Sequence, residues 1–171
     1  MIVLMAGLPG TGKSTLAQEL AARTNGRVLG KDEIRSALFR ESEIEFSSRQ
    51  DDLVVNLMLE LAEHFLSTDS RKMIYLDGRP FSRRYQIQNV VSEAARMNQP
   101  WRIVECVCSE DLAKRRLAAD QASGLHVATN RNARLYDEVR ARFENISHTK
   151  VVIDTSQPAE LCIEAALAAL I

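Results

Sequence analysis

The stretch Gly7-Leu8-Pro9-Gly10-Thr11-Gly12-Lys13-Ser14-Thr15 decides how the whole chain is read. It satisfies G-x-x-x-x-G-K-[ST], the pattern of a loop that wraps phosphate oxygens in backbone N–H groups. Upstream, Ile2-Val3-Leu4-Met5-Ala6 is an apolar run of buried-strand length, and downstream residues 16–23 carry apolar side chains at helical spacing. The loop therefore has the context its chemistry needs, a strand before it and the positive end of a helix after it. In such a loop Lys13 reaches the β- and γ-phosphates, and the Ser14 hydroxyl meets Mg²⁺. The expected ligands are ATP and Mg²⁺.

Working outward, 171 residues suit one α/β domain spanning 1–171, with neither repeats nor low-complexity segments. Lysine plus arginine (22) nearly balance aspartate plus glutamate (23), which argues against a general nucleic-acid binder but leaves room for a small basic groove. No apolar run approaches bilayer length, so no membrane association is expected. With strand and loop at the very start there is no room for a leader, and a cytoplasmic location is the expectation. Cys106 and Cys108, two apart in a predicted strand, read as reduced thiols on one face rather than as metal ligands.

Four more strand-like runs follow, at 27–30, 72–78, 101–108 and 151–154, each leading into a helical pattern. The fold class is α/β, a three-layer arrangement with helices on both faces of a five-stranded parallel sheet. After the second strand, Asp32 fits a helix N-cap and also stands at the strand rim where open α/β sheets bind ligands. Residues 41–48 read as a mobile polar connection, and 50–66 as a helix with Val54, Leu57, Met58, Leu61 and Phe65 on its buried stripe. Asp51, Asp52, Glu60 and His64 fall off that stripe and read as a solvated face.

After the third strand, Asp77 can orient a metal-held water or the acceptor, and Arg79, Arg83 and Arg84 form a basic loop suited to an anionic group. The next helix is expected to bury Ile87, Val90, Val91, Ala94 and Ala95. Ser109 caps a helix over 110–120 bearing Lys114, Arg115 and Arg116, whose side chains must point in different directions. Residues 121–130 resemble a lid, which would exclude water from a transfer reaction. Asn130 or Thr129 is the expected cap of the following helix, where Arg131 and Arg134 oppose the dipole and Leu135, Val139, Phe143 and Ile146 face the core. His126 and His148 read as surface histidines. The last helix is expected to bury Leu161, Ala165 and Ala168.

The loop, Asp32-x-x-Arg35, Asp77 after a strand, the arginine-bearing helix and Asp154-Thr155 together resemble the small P-loop kinases of the nucleoside-monophosphate-kinase type. Within these the chain is similar to polynucleotide 5′-kinase domains, zeta toxins, chloramphenicol phosphotransferase and gluconate kinases. The resemblance covers nearly the whole chain. It implies sheet order 2-3-1-4-5, a lid around 115–134, and ATP-dependent phosphorylation of a hydroxyl. It further implies Asp32 as general base and Arg35 holding an acceptor anion. Arg115 and Arg116 would stabilise the transferring phosphoryl group, and the turn from Thr155 to Pro158 would flank adenine. Asp77 stays open as metal support, acceptor contact or alternative base, with Arg79 as an acceptor contact. A small-molecule or nucleoside-like alcohol is the favoured acceptor, a polynucleotide 5′-hydroxyl the second. An ATPase switch with no acceptor is the alternative of another class.

Overall fold

A computed structural model describes residues 1–123, 130 and 132–170. Strand β1 (Ile2–Ala6) runs through the centre of the sheet with every residue buried, as an unbroken apolar run requires. Ile2, Leu4 and Ala6 join the core on one face of the sheet, whereas Val3 and Met5 join the core on the other. The first layer is supplied by α3 (Ser48–Thr68) and α4 (Arg84–Arg96), and the second by α1 (Lys13–Thr24) and α7 (Ala159–Leu170). Strands β2 (Arg27–Gly30), β3 (Ile74–Asp77), β4 (Trp101–Val107) and β5 (Val151–Asp154) complete a parallel sheet of order β2-β3-β1-β4-β5.

Because all five strands run the same way, their carboxyl ends share one rim. The loop of residues 7–12 leaves β1 there, between β3 and β4, where the connections diverge and a crevice opens. The register aligns Gly30 with Asp77, which brings the start of α2 (Lys31–Leu38) beside the end of β3. Helices α5 (Glu110–Ser123) and α6 (Ala133–Ala141) stand over the same rim, packed through Ala113, Leu117 and Tyr136.

Several local expectations need correction. Residues 41–48 are not a loose connection: a 3₁₀ turn at Glu41–Glu43 is braced by Gln50, whose amide donates to the Glu43 carbonyl at 2.8 Å. Helix α3 buries Val55, Leu59, Ala62 and Leu66 beside Val54 and Met58, leaving Leu61 exposed. Helix α7 buries Cys162, Ile163, Ala166 and Leu170, so the expected face was the wrong one and Leu161 is 55% exposed. Both helices are apolar over so much of their circumference that periodicity cannot select a face. In α4, Ile87, Val90 and Ala94 are buried as expected, but Ala95 is exposed. The cap of α6 is Asn132, which accepts from the Leu135 N–H at 3.0 Å, not Asn130. Thr129, His126, Arg131 and the span 124–129 of the expected lid lie outside the described residues.

Candidate active site

At the rim a cleft of about 630 Å³ runs from α7 past the glycine loop to α2 and α3. Pro9, Gly10, Gly12, Lys13, Ser14 and Thr15 face it. Gly7, Leu8 and Thr11 instead hold the loop in shape. The Gly7 N–H donates to the Pro80 carbonyl at 3.1 Å, and the Thr11 hydroxyl and Lys13 Nζ donate to the Leu8 carbonyl at 2.8 and 2.7 Å. Gly7 has φ +128, and a Cβ there would lie 2.3 Å from the Cys106 carbonyl oxygen, so only glycine fits. Gly10, at φ +77, similarly abuts the Ala113 carbonyl at the start of α5. The loop is thereby wedged between β4, the chain after β3, and α5.

At the α7 end, Arg116 crosses to the opposite wall. Its Nη1 donates to Thr155 Oγ1 at 3.0 Å and its Nη2 to the Thr155 carbonyl at 2.8 Å. The Thr155 hydroxyl also lies 2.9 Å from the Thr11 carbonyl, so one threonine links the glycine loop, β5 and α5. Arg116 lines the cleft, whereas Arg115 is exposed and contributes nothing to its wall. Neighbouring helical residues point about 100° apart, so only one of the pair can face inward. Lys114 is tied to Glu110 and Asp137, each at 2.8 Å. Gln157 and Ala159 line the cleft on either side of Pro158, which does not.

The other end is a cluster of charges. Asp32 is not the cap of α2, which follows Gly30; it sits within the first helical turn. Its Oδ1 accepts from Arg35 Nη1 at 3.2 Å and lies 3.5 Å from Lys31 Nζ. Asp51, on α3, takes Lys31 Nζ at 2.8 Å and also pairs with Arg35 Nη2. Arg35 is only 2% exposed, and its guanidinium lies 5.2 Å from the ring centroid of Phe46. Phe46 takes the left-handed φ of +48, a strained conformation that sets its ring against the cleft. Burial pushes the Lys31 ammonium down to about 8, against the pull of Asp32 and with the repulsion of Arg35 adding to it.

Asp77 lies beneath this cluster, buried, with Oδ1 lacking any hydrogen-bond partner among the described residues. An orphaned carboxylate oxygen at the strand rim, below a cleft onto which Ser14 opens, suits a metal-held water. Arg79 does not reach the cleft. It is 2% exposed and bound to Asp52 at 2.6 Å. Arg83 pairs with Glu144 at 3.1 Å, and the Arg84 N–H donates to the same carboxylate, so two of the three basic-loop arginines carry acidic partners.

A protein-family profile described as an AAA domain matches residues 2–164. The chain belongs to this family. A comparison with curated proteins returns no match. Among solved structures, this AAA domain is similar to a gluconokinase from Sinorhizobium meliloti 1021, 19% identical over 99% of this chain and 90% of that one, with TM-score 0.67. It is similar to the Mycobacterium tuberculosis APS kinase in complex with AMPPNP and APS, 16% identical over 99% and 96%, TM-score 0.70. It is also similar to Chaetomium thermophilum Kti12 in complex with ADP-AlF3, 13% identical over the full length of both, TM-score 0.72. The fold is therefore that of the small P-loop kinases.

Among the residues of this AAA domain's cleft that sequence reasoning missed are Lys31, Phe46, Asp51 and Arg142. Asp51 in particular was assigned to a solvated face. Three residues after Ser48 it looks like ordinary first-turn decoration, and only the packing of α3 against α2 turns it inward.

Proposed function

We propose that the chain is an ATP-dependent phosphotransferase that moves the γ-phosphate of ATP to a hydroxyl of a small-molecule or nucleoside-like acceptor. One observation carries the reading: Lys13 of the glycine loop and Asp32 of α2 face the same cleft, with donor-type groups on one side of them and a charged acceptor-type chamber on the other. The loop N–H groups and Lys13 hold the polyphosphate, and Arg116, fixed by Thr155, stands over it. Gln157 and Ala159 border the place of the base. Ser14, supported by Asp77, would hold Mg²⁺, which would supply charge neutralisation on the phosphates.

Asp32 is the acceptor's base. Arg35 and Lys31 engage its Oδ1, which orients the group and leaves Oδ2 to take the proton of the incoming hydroxyl. Asp77 is the weaker candidate because it is buried and contributes no wall to the cleft. With its Nη groups committed to Asp32 and Asp51, Arg35 serves as a positioning residue and not as the receptor of an acceptor anion. The similarity to a gluconokinase and an APS kinase supports a small acceptor.

The test is transfer from γ-labelled ATP to pooled small alcohols, to 5′-hydroxyl oligonucleotides, and to no acceptor. Label is expected in a small molecule. Label in the oligonucleotide would reassign the acceptor, and rapid release of phosphate without any acceptor would favour a nucleotide switch.

A further inference from the structure

Beyond Asp51 and Pro80 the cleft passes into a second compartment of about 220 Å³, and Arg142 lines both spaces. Its wall contains three buried polar side chains, Arg79, Ser82 and Gln86. Burying so much polarity is costly unless the groups are used, and Arg79 Nε finds no acceptor within the described protein. The cations here are unequal. Arg79 is neutralised by Asp52 and Arg83 by Glu144, and Asp51 is committed to Lys31 and Arg35. Arg142 has no ion pair among the described residues, although it stands at the junction.

We propose that this compartment receives the far end of a two-ended acceptor, an anionic oxygen group (phosphate or carboxylate) recognised by Arg142, while the hydroxyl to be phosphorylated stays at Asp32. The proposal rests on the kinase reading. It moves anion recognition away from Arg35, whose Nη groups are occupied, to a guanidinium whose charge is available. Ser82 and Gln86 would take the remaining oxygens, and Tyr85, whose hydroxyl lies 3.3 Å from Arg79 Nη2, closes the outer side.

The experiment is calorimetric titration of the full chain, saturated with AMPPNP and Mg²⁺, with glycerol, glycerol 3-phosphate and glycerate. At least one of the two anionic alcohols should bind about tenfold more tightly than glycerol, and which one does so separates phosphate from carboxylate. Arg142→Gln should erase that preference while AMPPNP affinity changes less than about threefold. Ser82→Leu, which fills the compartment without altering charge, should erase it too, with thermal unfolding used to confirm that both variants fold. Failure of AMPPNP itself to bind overturns the kinase reading and this proposal with it. Nucleotide binding with no anion preference, or a preference that survives both substitutions, overturns the compartment alone. A tenfold loss of AMPPNP affinity in Arg142→Gln would assign that guanidinium to the donor and likewise overturn it.

Discussion

At the proposed donor end of the cleft, the groups that would meet phosphate are main-chain N–H groups and a lysine drawn from nine consecutive residues. At the acceptor end, they are side chains gathered from α2, α3, the bend at Phe46 and the end of α6. The first construction is local, and its geometry is held by tight packing around glycines whose Cβ atoms would collide with neighbouring carbonyls. The second depends on long-range ion pairs, Lys31 and Arg35 with Asp51 and Arg79 with Asp52. A backbone cradle can serve any nucleoside triphosphate, whereas a side-chain cluster can be re-specified by single substitutions. Under the proposed function, donor recognition and acceptor choice would thus be separable in this molecule.

Loss at the donor end should be felt in chemistry far more than in stability. Lys13→Ala is expected to lower phosphoryl transfer by about 10³-fold, read by labelled-ATP assay, with little change in the unfolding midpoint. A change at the acceptor end should do the reverse first. Asp51→Ala leaves two mostly buried cations short of a partner and should cost about 2–3 kcal/mol in urea unfolding, less than a fully buried pair would because Asp51 is itself 22% exposed. Asp52→Ala, at a carboxylate 41% exposed, should cost only about 1 kcal/mol. An equal cost for the two aspartates would erase the distinction between the inner and outer pairs.

Lys31 sharpens the contrast through pH. Its folded pKa of about 8 lies below the ordinary 10.5 because burial disfavours the ammonium. Between those values the unfolded chain holds a proton that the folded chain has released. Stability should therefore rise with pH across that window, by at most about 1.4 kcal/mol per pH unit, and be flat in this respect below it. Lys31→Met should remove the rise, as measured by denaturant midpoints from about pH 7 to 10. The smallest effect is expected at Thr155→Val, which removes one of the two oxygen acceptors of Arg116 and leaves the carbonyl at 2.8 Å. It should weaken ATP binding by about fivefold, the worth of one hydrogen bond.

The same contrast explains what could be read before the structure. The glycine loop and the five strands were legible because the loop motif is contiguous and each strand is a short apolar run ending in a turn, whereas the order of the sheet followed from the family resemblance. Asp32 could be set at the rim of the sheet from its position after the second strand, whereas the choice between Arg115 and Arg116 fell to which side of α5 faces the cleft. Asp51 and Arg142 were not legible. Nothing near Asp51 in sequence marks it as the counter-ion of residues some twenty positions earlier, and Arg142 gains meaning only where two cavities meet. The buried faces of α3 and α7 escaped for another reason: apolar residues lie on too many sides of each helix for spacing to choose among them.

The central claim is that Asp32 readies an alcohol for attack on a phosphate gripped by the loop. Its most direct test compares wild type with Asp32→Asn for ATP affinity and for single-turnover transfer to the acceptor found by the pool assay. The account predicts ATP binding within about threefold of wild type and transfer slowed by about 10²–10⁴. Transfer at the wild-type rate in Asp32→Asn would contradict it.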